Sequence, residues 1–288
     1  MAPAGVTSSF LLQFPPRLWG GDLEPGVRGP ISAPAYGAHH FVLGGLGYAF
    51  FYYVGHQLWQ RWAEPIMQRV HGRQKAATKK FDFIVRLGAI FHASFVAYMT
   101  LQETVQTDIL SGWTGTFSPQ LQGVVALSCA WFTCDLIACC VIASEYSLKQ
   151  VGGLETFLHH LTSMLAQTAV LVFSGPKLLT AGLLWTEATT PLVNARWYVL
   201  TFGLTGWPLQ VMNVVMVLGF MAVRMPICTL CITAIYTHLT ALLPPAIEWQ
   251  LSAACIGTVT IITVLNYYWM YLMLSGITKG GKAAQKTA

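Results

Sequence analysis

The sequence predicts an all-α, polytopic transmembrane helical bundle of about seven spans, and two observations carry that prediction. Hydrophobic residues make up 55% of the 288-residue chain and charged residues only 9%, at a mean hydropathy of +0.55, whereas soluble domains carry roughly 25% charged residues. The apolar residues also gather into runs near the ~20 residues a helix needs to cross a bilayer, without the period-two alternation of a membrane β-barrel. Membrane lipids are therefore the expected partners, together with protein partners if the bundle joins a larger membrane assembly, and no nucleic acid is expected.

Each element follows in order from charge and breaker signals. Residues 1–40, rich in Pro and Gly and without an apolar core of signal-peptide length, read as a loosely ordered tail. An extra N-terminal transmembrane helix is expected over 41–62, its apolar run at 41–60. Six more apolar segments fall at 83–103, 119–143, 157–173, 178–198, 208–240 and 248–276, before a short tail at 281–288. The segment at 208–240 is too long for one straight span and contains Pro226, so one kinked or tilted helix with an interfacial extension is expected.

Lys and Arg in short loops orient the spans. The link after the first span holds Arg61, Arg69, Arg73, Lys75, Lys79, Lys80 and Arg86 against Glu64 and Asp82, so it is expected on the cytosolic side. The next loop, around Glu103 and Asp108, has neither Lys nor Arg. Alternation then places Lys149, Arg196 and the tail lysines 279, 282 and 286 in the cytosol, with Lys177 the one dissenting residue. A multi-pass protein with its N-terminus outside and its C-terminus cytosolic follows. The basic link also suits anionic lipid headgroups or a phosphorylated carrier.

Polar groups at membrane depth are costly and mark function or a partner. His92, Asp135, the adjacent pair His159 and His160, Glu187, Arg224 and Asn266 lie on six different expected spans, all in or near the cytosolic half. Neighbouring helical positions differ by about 100°, so the paired histidines are not expected to face one point. His92 by itself reads as a packed histidine, and Asp135 with Arg224 reads equally well as a structural ion pair. Asn194 and Arg196 suit backbone or phosphate groups at the interface. Thr186-Glu187-Ala188-Thr189-Thr190-Pro191 offers hydroxyls and a proline-freed carbonyl, as a kinked helix would use.

No metal is expected, because no His-x-x-x-His or Glu-x-x-His spacing places two ligands on one helical face. The seven cysteines lie in apolar stretches and read as small hydrophobes, with Cys228-x-x-Cys231 lacking the second pair of a metal motif. Ser163 lacks the glycines of a nucleophile elbow. A histidine beside a carboxylate in a dry cavity suits general-base or acyl-transfer chemistry.

The ordered set Phe91-His92-Ala93, Asp135, Leu158-His159-His160-Leu161-Thr162-Ser163, Thr186 to Trp197, Phe220 to Pro226 and Leu265-Asn266-Tyr267-Tyr268-Trp269 resembles the TLC-domain family of TRAM, Lag and CLN proteins, over about 80–280. The resemblance implies a six-helix core around a central, lipid-accessible cavity, preceded here by the extra span, and the endoplasmic reticulum as the organelle. In ceramide synthases of this family the doubled histidine belongs to the acyl-transfer site, which carries over to His159 and His160. The synthase signature of a His-Asp and a further Asp is replaced here by Glu187 and Thr189-Thr190-Pro191, so the chain looks closer to the non-synthase members associated with phospholipid composition and sphingolipid homeostasis. On the residues themselves, the candidate catalytic set is His159 or His160 as base or nucleophile with Asp135 or Glu187 as orienter, and the candidate headgroup-binding residues are His92, Asn194, Arg196, Arg224 and Asn266. No cofactor is implied; acyl-CoA enters only as co-substrate of an acyltransferase.

Overall fold

A computed structural model describes residues 33–106, 118–145, 153–173, 177–242 and 249–286. The expected loop around Asp108, Lys149, Glu248 and most of the N-terminal tail lie outside these residues. The described residues form helices and short turns with no strand among them, because a helix satisfies its own backbone groups where no water can.

The helices make seven rods. The first is α1 (Ala33–Leu58), which continues through a π turn (Trp59–Ala63) into the short α2 (Glu64–His71). It starts inside the segment expected to be a loose tail, since Pro34 falls in the first turn, where a missing N–H breaks no helical bond. The second and third rods are α3 (Arg73–Gln106) and α4 (Pro119–Glu145), and the fourth is α5 (Gly153–Phe173). The fifth joins α6 (Lys177–Trp185) to α7 (Thr190–Thr201) through a 3₁₀ turn (Thr186–Thr189). The sixth joins α8 (Trp207–Gly219) to α9 (Met225–Leu242) through a second π turn (Phe220–Arg224), so the long apolar segment is a single interrupted helix. The seventh is α10 (Trp249–Lys286), which runs on through most of the expected C-terminal tail. Among the described residues, four stretches are long and apolar enough to cross a membrane by length and composition: Arg73–Thr104, Pro119–Val141, Trp207–Thr237 and Ile256–Gly276.

Each of these irregular turns ends two residues before a proline. Proline removes one backbone N–H and crowds the carbonyl four residues back, so the residue ahead of it takes another acceptor. Glu64, ahead of Pro65, donates to the Trp59 carbonyl. Met225, ahead of Pro226, donates to the Phe220 carbonyl. Thr190, ahead of Pro191, donates to the Glu187 carbonyl and tightens the turn instead of widening it.

Local chemistry sets the ends. Ser118 precedes Pro119, and its hydroxyl accepts from the Leu121 N–H at 3.0 Å, capping α4. The turn between α7 and α8 needs positive φ at Gly203 (72°) and Gly206 (71°), which a side chain would strain. Close approach explains two other glycines. A Cβ on Gly44 would lie 2.5 Å from the Leu127 carbonyl oxygen on α4, and one on Gly88 would lie 3.0 Å from Trp131. Small residues of this kind let membrane helices pack by close contact, since lipid supplies no hydrophobic drive between them.

The α2 end of the bundle is closed by a cluster of Trp59, Met67, Phe83 and Ile84, with Tyr198 and Phe202 packed on it. The Tyr198 hydroxyl donates to the Phe83 carbonyl at 2.7 Å. At the opposite end Lys177, the dissenter from the charge rule, lies 2.6 Å from the buried Glu103 carboxylate. Its charge is compensated inside the protein, so it carries little weight as an orientation signal.

Candidate functional site

A cavity of about 990 Å³ opens among α3, α4, α5, α7, α8 and α10. Its lining combines apolar side chains, among them Val214, Val217, Phe220, Leu272 and Met273, with nearly all the polar groups singled out in the sequence. His92, Asp135, His159, His160, Glu187, Asn194, Arg196 and Arg224 line it. Asn266 does not: it is fully buried behind Arg224, its amide donating to the Ile262 carbonyl at 2.8 Å.

The paired histidines do not face one point, yet both line the cavity, because each meets a different neighbour. His159 Nε2 lies 3.8 Å from Glu187 Oε1, on the 3₁₀ turn. His160 Nδ1 lies 2.9 Å from Asp135 Oδ2, on α4, at ion-pair distance but off the direction of a hydrogen bond. Two carboxylates on two helices thus receive two rings about 100° apart around one helix axis. The ring centroids remain 5.8 Å apart, and Phe132 sets an edge against each. Trp269 flanks His159 with its centroid at 5.2 Å.

Arg224 pairs with neither Asp135 nor solvent. Because Thr190 donates to Glu187, the Thr186 carbonyl loses its α-helical donor; the Thr189 hydroxyl donates to it at 3.1 Å and Arg224 Nε donates to it at 3.1 Å. The same guanidinium reaches Thr189 Oγ1, Thr190 Oγ1 at 2.9 Å and Asn266 Oδ1 at 2.8 Å. Thr190 passes the link on, donating to Glu187 Oε2 at 2.7 Å. The turns created by Pro191 and Pro226 therefore meet as donor and acceptor, and Arg224 holds the Glu187 loop. Arg224 nevertheless lines the cavity, whereas the Asn266 side chain is engaged behind it.

His92 is buried and stacked on Trp131, with centroids 4.8 Å apart and planes 8° apart. Its Nε2 finds no hydrogen-bond partner among the described residues. Tyr48, from the extra helix, donates to Asp135 Oδ1 at 3.1 Å. The first rod is thus joined to the polar centre and is more than an appended anchor.

At the other end of the cavity Arg86 donates to Asn194 Oδ1 at 2.9 Å and lies over the Trp197 ring. Arg196 donates to Asn213 Oδ1. The sequence signal for Arg86 was present but merged with the basic link, since position 86 is the last cation of that run. Tyr48, Trp131 and Asn213 gave no signal, being ordinary residues for helical membrane segments until a partner is known. Asp135 and Cys139, four apart on α4, also share a wall with His160. Their spacing puts them on one helical face, but in an apolar run the cysteine is indistinguishable from a packing residue.

Seven helical rods, membrane-length apolar stretches and a buried polar cavity define a multi-pass membrane protein of the helical-bundle class. The TLC domain family model (TRAM, LAG1 and CLN8) matches residues 82–275. That is about two thirds of the chain, and the protein belongs to this family. A TLC domain marks a membrane protein concerned with lipid metabolism or sensing. No curated protein matches the chain.

Proposed function

We propose that the protein binds a membrane lipid, or its acyl chain, in the 990 Å³ cavity and serves the phospholipid or sphingolipid composition of its membrane. The supporting observation is that the cavity lining combines two chemistries. Apolar side chains including Val217 and Leu272 suit an acyl chain, while Arg86 and Arg196, held by Asn194 and Asn213, present cations suited to an anionic headgroup. The basic residues of the α2 and α3 segment favour a cytosolic opening, and the family resemblance favours the endoplasmic reticulum.

A second reading, an acyl-CoA-dependent acyltransferase, is favoured by one observation: His159 stands beside Glu187 on the cavity wall. There the imidazole would take the proton of an acceptor hydroxyl or amine as that group attacks a thioester carbonyl and the carrier thiolate departs. Glu187 would stabilise the imidazolium.

Mass spectrometry of lipids retained by the purified full-length protein tests the first reading. A recurrent lipid class, lost in Arg86→Ala, is the expected result; a lipid complement equal to that of the surrounding detergent micelle would sink it. Incubation with acyl-CoA and a sphingoid base or lysophospholipid tests the second. Product formation abolished by His159→Ala would carry it, and no turnover by folded protein would remove it.

A further inference from the structure

We infer that Asp135, Cys139 and His160 form a binding site for a divalent metal ion, with zinc the best match to the donor set. The inference is independent of the lipid reading, since it concerns which groups converge and not what fills the cavity.

Three observations carry it. First, one ligand atom from each of the three residues lies within 4.8 Å of the others. Zinc bonds of about 2.0–2.3 Å to nitrogen, oxygen and sulfur place tetrahedral ligands roughly 3.5 Å apart. Closure therefore needs side-chain movements of about 1 Å and no backbone shift. Second, the ligands come from well-packed helices. Asp135 and Cys139 are buried and one helical turn apart, so both project from one face of α4, and α5 brings His160 against that face. Carboxylate, thiolate and imidazole are each established zinc donors, and three protein ligands with a fourth position left for water or substrate is the pattern of reactive zinc sites.

Third, the carboxylate is already oriented. Tyr48 donates to Asp135 Oδ1, leaving Oδ2 free of that bond and 2.9 Å from His160 Nδ1. An outer hydrogen bond of this kind is a regular companion of metal-ligating side chains. It also gives a reason for the buried tyrosine hydroxyl of α1. All three ligands line the cavity, so a fourth position would open to it. That position would take water or the carbonyl oxygen of an ester, amide or thioester group held in the cavity.

His159 stands apart from this set, because Glu187 is its partner. It therefore serves as an internal control.

The test uses the purified full-length protein with Zn²⁺ and with Co²⁺ as a spectroscopic probe. After dialysis against Zn²⁺, elemental analysis is expected to give about one metal per chain, and Co²⁺ is expected to produce the thiolate charge-transfer absorption that only a cysteine ligand gives. Cys139→Ser should abolish that absorption, while Cys140→Ser and His159→Gln should keep it. Tyr48→Phe should weaken binding about tenfold, as loss of an outer-shell partner does. Protein that folds but retains no metal, a Co²⁺ spectrum without the thiolate band, or equal losses in Cys139→Ser and Cys140→Ser would each overturn the assignment. The first two readouts need no variant, so failure of a variant to fold leaves the test intact.

Discussion

Arg224 illustrates how a buried charge is accommodated at the scale of a residue. A charge at bilayer depth is costly unless its donors are met, and here one guanidinium meets a released carbonyl, two threonine hydroxyls and an asparagine. Arg224→Ala would leave Asn266 and the Thr186 carbonyl without that donor and the Glu187 turn without the cation that holds it. It is expected to destabilise the fold by about 3–5 kcal/mol, the range for breaking a buried charge network, read as a lowered Tm in detergent. Arg224→Lys, which keeps the charge but loses the fork, should fall between the two. Arg86 behaves differently, because it stands at the cavity wall with Nε unsatisfied among the described residues. Arg86→Ala should lower affinity for an anionic amphiphile by roughly 10–100-fold, the equivalent of about 1.5–3 kcal/mol for a hydrogen bond to a charged group. Direct binding to lipid-filled micelles measures it, with a Tm loss smaller than that of Arg224→Ala expected beside it, because only the Asn194 side-chain carbonyl loses its donor.

Between helices, contact distance decides. Gly44 and Gly47 lie on the same helix, yet a Cβ on the first would meet the Leu127 carbonyl at 2.5 Å while one on the second meets nothing within 4 Å. Gly44→Val should therefore cost about 1–3 kcal/mol through overpacking and separate α1 from α4, carrying Tyr48 away from Asp135. Gly47→Val should leave Tm unchanged or slightly raised, because it reduces the freedom of the unfolded chain. Thermal unfolding of the two variants side by side is the measurement. The three irregular turns show the same scale from the sequence side. Pro65, Pro191 and Pro226 were all visible in the chain, and the last two read as helix kinks. Whether each interruption widens to a π turn or tightens to a 3₁₀ turn depends on what accepts the displaced bonds. At the Pro191 turn the Thr186 carbonyl, having lost its α-helical donor, accepts from Arg224, a partner 38 residues away.

For the whole molecule, the charge pattern makes the strongest prediction. A tag or single labelling cysteine at position 75 or 282 should be modified from the cytosolic side and one at position 110 only from the opposite side. Labelling of intact against permeabilised cells checks this. Equal labelling of 75 and 110 from one face would require a different number of spans. The buried contact of Lys177 with Glu103 removes the one discordant charge from that reckoning.

Fold class and the approximate extent of the helices were legible in the sequence because each follows from a local quantity: hydropathy over a ~20-residue window and breaker positions. For the same reason, His92, Asp135, His159, His160 and Glu187 stand out from the chain alone. Their partners do not. That His160 takes Asp135 and His159 takes Glu187, that Arg224 serves the Glu187 turn rather than Asp135, and that Tyr48 and Cys139 join the polar centre, are matters of helix rotation and adjacency. From the chain alone it follows that a costly set of polar groups must be satisfied inside a membrane bundle. Which group satisfies which is settled by the packed helices, because side-chain pairing across them depends on distances that no single helix encodes.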